Sequence, residues 1–211
     1  YGIYVNNESE ETVYFFHGNG WDLRYFQDAI QIFSDWWYNV LALEYPGYGD
    51  TEWYPTQESV MLAAQKLYLI WQERYNLVDR NTYIWWYSIG TWVAANFVKD
   101  KNFPVLVLEA PYTSWYDLAR EKIGFVPQKF LFLENTFQTD ENLKSYWWPV
   151  LILHGERDKL IPVLNTYRLK EVATSNVGVI VDPEGDHYNL LDNPETLSKI
   201  QYFFQNKKYI K

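Results

Sequence analysis

An α/β fold, with a mostly parallel central sheet and helices on both faces, is what this sequence predicts. Three observations predict it. Strand-like and helix-like stretches alternate about six times along the chain. Most of the strand-like runs are continuously apolar, as in Thr12–Phe16 (TVYFF) and residues 104–108 (PVLVL), which marks strands buried on both faces. At 211 residues and 48% hydrophobic, the chain is long enough for one well-packed domain, 1–211, and short for two. No repeat, low-complexity stretch or linker marks a boundary.

The elements follow in order. Residues 3–5 suit a short edge strand, and Thr12–Phe16 a buried one that ends in the turn signal His17-Gly18-Asn19-Gly20. Asp22 can cap a helix whose apolar residues Leu23, Phe26, Ile30 and Phe33 fall at helical spacing. Residues 39–44 (NVLALE) form the next strand, closed by Tyr45-Pro46-Gly47-Tyr48-Gly49-Asp50. Thr56 can cap a long helix with Val60, Ala63, Ala64, Leu67, Ile70 and Trp71 on its buried face. Strands are expected at 82–87, 104–108, 150–153 and 177–181. One or two helices around Leu118 and residues 130–133 fill the interval 112–146, broken at Gly124 and Pro127. A helix over 164–173 precedes the last strand, and a terminal helix from Pro194 to Phe204, capped by Asn193, leads to a basic, frayed tail.

Composition excludes several function classes. A formal charge of −9 argues against nucleic acid or anionic membrane as a partner. With no cysteine, disulfides and thiolate metal sites are ruled out, and three histidines are too few for a His-rich metal site. No uncharged run approaches the roughly 18 apolar residues of a membrane span. No secretory signal is visible, so the cytoplasm is the expected location; the chain starts at Tyr1 and not methionine, which leaves room for a segment upstream.

Chemistry is expected at the carboxyl ends of the strands, where open parallel sheets bind ligands. The stretch 81–98 passes from a β-rich run through Ser88 directly into helix-forming residues. A serine at such a turn stands exposed above the sheet, beside the N–H groups that begin a helix, where a nucleophile belongs if an oxyanion is to be held. The plainer alternative is a polar residue in an ordinary turn. A base and an orienting acid must join it. His17 and His154 each end a strand just before glycine, which favours local backbone bonds over a place in the site. His187 lies in the loop after the last strand, with nothing obvious to bury it, so it is either the base or a surface residue. Asp158, three residues after Gly155, is at the right height for the acid; Glu109 is a rival that also terminates a strand. Asp186 is too close to His187 in sequence to hold its ring. The backbone N–H groups of Asn19 and Ile89 are candidates for an oxyanion hole, and glycines at 18 and 20 suit a tight turn needing φ > 0.

His-Gly-Asn-Gly at 17–20, Tyr-Pro-Gly-Tyr-Gly at 45–49, Tyr-Ser-Ile-Gly at 87–90, His-Gly-Glu-Arg-Asp at 154–158 and Gly-Asp-His at 185–187 together resemble the α/β-hydrolases. The nearest kind is the small, lidless serine hydrolases: esterases, thioesterases and S33-type aminopeptidases. The resemblance runs from Thr12 to the terminal helix. It implies Ser88 as nucleophile, Asp158 as orienting acid and His187 as general base, with Asn19 and Ile89 supplying the oxyanion hole. It also implies no metal, no organic cofactor and a small-molecule ester or acyl substrate. Cap domains of the family fall between the strands near 108 and 150, an interval too short here for a large lid.

The chain departs from the pattern at tryptophans. The pentapeptide is Trp86-Tyr87-Ser88-Ile89-Gly90, so Trp86 replaces the first glycine of G-x-S-x-G, and Trp92 stands where relatives often carry a small residue. Trp37, Trp53 and Trp21 also occupy places natural for a turn glycine, and the chain has more Trp (11) than Gly (10). One expectation covers both facts: some of these positions are glycine codons, as when UGA means glycine in the source but is translated as tryptophan. UGG at codons 37, 53, 86 and 92 would end it. If Trp86 is genuine, the elbow is expected to distort, and the alternative function is a catalytically impaired, α/β-hydrolase-like binding protein. A dehalogenase or haloperoxidase is a third option, the former disfavoured by Ser88 where it would place Asp.

Overall fold

The computed structural model describes residues 1–20, 22–99, 101–124 and 137–206. Its centre is one seven-stranded sheet in the order β1-β3-β2-β4-β5-β6-β7. The strands are β1 (Gly2–Val5), β2 (Thr12–Phe16), β3 (Asn39–Leu43), β4 (Thr82–Tyr87), β5 (Val105–Glu109), β6 (Val150–Gly155) and β7 (Val177–Asp182). Only β1, at the edge, runs antiparallel, with Gly2 opposite Leu43; every other pairing is parallel. The expected strands therefore form, with ends shifted by one or two residues.

Parallel strands need helical crossovers, and the helices cover both faces. They are α1 (Gln27–Asp35), α2 (Gln57–Tyr75), α3 (Gly90–Phe97), α4 (Trp115–Ile123), α5 (Thr139–Leu143), α6 (Leu164–Val172) and α7 (Pro194–Asn206). Successive strand residues point to opposite faces, which divides the core in two. Tyr14, Phe16, Ile84 and Trp86 pack toward α2 and α3. Val13, Phe15, Tyr83 and Trp85 pack toward Phe33 of α1 and Ile200, Phe203 and Phe204 of α7. Both sets are buried, which is why the strands read as continuous apolar runs.

Local signals set the helix ends. Asp22 caps a short 3-10 turn, Leu23–Phe26, that leads into α1, and its carboxylate accepts the Arg24 N–H. Thr56 begins α2 with a reciprocal capping box to Ser59. Asn193 Oδ1 accepts the Glu195 N–H at the start of α7. Gly124 closes α4 at φ +80. One face was misread: Ile70 of α2 is exposed, and Tyr68 is buried in its place. The buried residues Val60, Ala64 and Tyr68 step by four, and Ile70 lies off that stripe. The Tyr68 hydroxyl donates to Asp79 and meets Thr82.

Between β5 and β6 the described residues hold only α4 and α5, and no cap domain is evident. The expected helix around 130–133, the break at Pro127, Trp21 and the basic tail beyond 206 lie outside the described residues. Among the described residues no helix is long and apolar enough to cross a membrane.

Candidate active site

Ser88 sits in the two-residue connection between β4 and α3, at φ +55. That left-handed backbone costs a non-glycine residue about 1–2 kcal/mol, so neighbours must hold it. They do: the Ser88 N–H donates to the Glu109 carbonyl at 2.9 Å, and the Ser88 carbonyl accepts from the Thr91 N–H at 3.0 Å and hydroxyl at 2.8 Å. The turn forms with Trp86 in place. Its ring leaves the sheet on the α2/α3 side and stacks on Phe16, centroids 3.4 Å apart and planes within 9°. Its buried Nε1 has no acceptor among the described residues, and Trp86 is not among those lining the cavity at Ser88. The ring crowds the turn as well as the core, since a Cβ at Gly90 would lie 3.0 Å from its Cε3, yet the left-handed Ser88 forms beside it.

The other two predicted partners meet Ser88 there. His187 Nε2 lies 3.0 Å from Ser88 Oγ, and His187 Nδ1 lies 2.6 Å from Asp158 Oδ2. Nδ1–H donating to the carboxylate leaves the Nε2 lone pair facing the hydroxyl, the tautomer a general base requires. Asp158 Oδ1 accepts the N–H groups of Leu160 and Ile161, both at 2.8 Å. Burial alone would raise this carboxyl, but hydrogen bonds from His154, His187 and the Ile161 N–H outweigh it and hold the pKa well below the carboxylate range. Against expectation, His187 is buried. The Tyr87 and Tyr188 rings flank its imidazole at 5.2 and 5.1 Å, and the Tyr87 hydroxyl donates to the His187 carbonyl at 2.9 Å.

The loops carrying the acid and the base are tied to each other. Arg157 N–H donates to Gly185 O at 3.0 Å and Glu156 N–H to Asp182 O at 2.9 Å. A Cβ at Gly155 would lie 2.3 Å from Gly185 O, so this approach admits only glycine. Asp182 pins the histidine loop by accepting the Glu184 and Gly185 N–H groups and the Asn193 amide.

The rejected candidates have other partners. Glu109, the rival acid, points to the opposite face and accepts the Trp85 indole N–H at 2.9 Å. Burial pushes its carboxyl up to about 7, against the lowering by that hydrogen bond. His17 bonds local backbone as expected, with Nδ1 2.8 Å from Gly18 O, while its Nε2 faces Glu44 Oε1 at 3.0 Å. His154 is nearer the site than foreseen, its Nε2 lying 2.8 Å from Ile161 O and 3.3 Å from Asp158 Oδ2. Asp186 accepts the Tyr188 N–H and takes no part.

Asn19 and Ile89 line the same cavity as Ser88 and His187, about 280 Å³ in volume. Neither of their N–H groups has an acceptor among the described residues. Gly20 has the expected positive φ of +86, whereas Gly18 does not; a Cβ at Gly18 would strike the Tyr87 ring at 2.6 Å. Close approach, not backbone hand, therefore requires glycine at 18. The 45–49 loop holds this turn: the Tyr45 hydroxyl donates to His17 O, and the Tyr48 hydroxyl to Asn19 Oδ1. The positioning tyrosines 45, 48 and 87 were not found from sequence, where tyrosine is common and core is its default place. Among the described residues no group of three or more His, Asp or Glu could hold a metal ion.

No protein-family model matches the chain. It is 31% identical over 191 residues to human protein ABHD12B, covering 80% of this chain and 52% of that one. It is 30% identical over 189 residues to the lysophosphatidylserine lipase ABHD12 of Danio rerio, covering 80% and 48%. The chain thus spans about half the length of these curated relatives. In structure it is similar to the esterase Pf2001 of Pyrococcus furiosus, with TM-score 0.79, 19% identity and coverage of 97% and 86%. That likeness concerns the fold alone. With this sheet order, this serine turn and these relatives, the chain belongs to the α/β-hydrolase superfamily.

Proposed function

We propose that the protein is a serine hydrolase that cleaves carboxylic ester or thioester bonds, ahead of amides, in small or exposed acyl substrates. The observation that carries this reading is the unbroken hydrogen-bond chain from Asp158 through His187 to Ser88 at the rim of a cavity. His187 takes the Ser88 proton as Oγ attacks the acyl carbon, and the oxyanion receives the N–H groups of Asn19 and Ile89. His187 then gives that proton to the leaving group, and an acyl-enzyme on Ser88 remains. Water, activated by the same imidazole, releases the acid. Asp158 stabilises the imidazolium in both halves. Leu118, Leu160 and Ile161 give the cavity an apolar wall suited to a short or medium acyl chain. A relative named as a lipase of lysophosphatidylserine supports an ester over an amide.

A fluorophosphonate probe tests the nucleophile. Labelling at Ser88 that Ser88→Ala abolishes is expected, with ester turnover falling at least about 10³-fold. A folded sample that never labels would leave a binding protein instead. A p-nitrophenyl ester series of increasing chain length then reads the acyl cavity.

A further inference from the structure

Behind Tyr87 lies a second cavity of about 320 Å³, which shares Tyr25, Tyr87 and Tyr188 with the cavity at Ser88. We propose that this cavity binds a compact ammonium group of the choline class, carried on the alcohol portion of the ester that Ser88 attacks. The proposal rests on the hydrolase reading above.

The chemistry of the walls points to a cation. Glu109 forms part of the lining and is only 5% exposed. Its Oε2 accepts the Trp85 N–H. A carboxylate this buried, with no cationic partner among the described residues, is costly, and a cation is the ligand that relieves it. Its raised pKa has the same origin, since burial dominates. Asp28 and Asp192 stand at the wall on the exposed side, and neither forms an ion pair among the described residues. Among the described residues no Lys or Arg lines the cavity. The aromatic part is equally suited: Phe26, Tyr87 and Tyr188 are wall residues, and ring faces attract quaternary ammonium groups. A chain of net charge −9 adds long-range attraction for cations. Tyr25 and Tyr188 are exposed and Tyr87 is buried, so the shared wall is open at the rim and closed at its base. An acyl chain on one side and an ammonium head on the other would straddle Ser88.

The test compares butyrylcholine with its uncharged isostere, 3,3-dimethylbutyl butyrate. The expected kcat/KM ratio is at least about tenfold in favour of the cation, consistent with a desolvated cation–π and carboxylate contact. Glu109→Gln retains an acceptor for Trp85 and should bring the ratio toward one. Asp28→Asn, on the surface, should lower it in part and decides the matter if the buried variant does not fold. A ratio near one in the wild type, or a ratio unchanged in both folded variants, overturns the proposal. Calorimetry of choline against 3,3-dimethylbutan-1-ol on the Ser88→Ala chain separates the two readings. Choline binding that Glu109→Gln weakens at least about tenfold supports the cation site even if Ser88 never labels. Labelling at Ser88 without any preference for choline leaves the hydrolase and removes the site.

Discussion

At single residues, strain and function coincide in one place and part in two others. Ser88 holds φ +55 because a hydroxyl must stand clear of the sheet, and the Thr91 and Glu109 bonds sustain it. Trp37 (φ +70) and Trp53 (φ +90) carry the same backbone cost with exposed side chains and no such purpose. Trp37 closes α1 as the left-handed residue of a Schellman motif, its N–H bonding Ser34 O and that of Tyr38 bonding Phe33 O. Glycine is the usual occupant there, and Asn76 shows the accepted substitute at the end of α2. Trp37→Gly and Trp53→Gly should therefore each stabilise the fold by about 1 kcal/mol, after the entropy that glycine adds to the unfolded chain. Urea midpoints measure this, and a fall in midpoint for both would contradict it. The outcome bears on the expectation that codons 37, 53, 86 and 92 are UGA read as glycine, which gene sequencing decides. Two of these four positions are thus legible as glycine sites in backbone as well as in sequence; Trp86 and Trp92 are buried and packed.

At the level of elements, the strands were readable because burial on both faces leaves no polar positions to confuse them. The ends of those strands then indexed Ser88, Asp158 and His187 without any knowledge of their distances. What sequence could not reveal is how the loops brace one another, since that depends on contacts between segments far apart in the chain. Tyr87 is the plain case: it lies 100 residues from His187 and holds its carbonyl. Tyr87→Phe should lower kcat by about tenfold with a smaller change in KM, because it loosens the base and leaves the acyl wall intact. An unchanged kcat would remove Tyr87 from the positioning of His187. Gly155→Ala makes a stronger test of the bracing, since its Cβ would meet backbone that cannot rotate away. A loss of about 1–3 kcal/mol is expected, together with lost activity as the Asp158 and His187 loops separate. Retained stability and turnover would show that the two loops are joined by other means.

For the whole molecule, two buried carboxyls of opposite shift set how stability follows pH. Asp158 is held below the ordinary carboxylate range, so its contribution is present above the unfolded value of 3.8 and is lost as pH falls below it. Glu109 works in the other direction. Its carboxyl rises from 4.5 to about 7, so between those values the folded chain keeps a proton that the unfolded chain has released. Stability from this group is full below pH 4.5 and falls as pH climbs to about 7, by at most about 3 kcal/mol. The fold should consequently be most stable near pH 4 and weaker at pH 8. Glu109→Gln cannot ionise, so urea midpoints for that variant should lose most of the decline between pH 5 and 8 while keeping the acid limb due to Asp158. Equal slopes for variant and wild type across that range would mean that Glu109 is already charge-compensated in the fold, and the reason for a cation in its cavity would go with it.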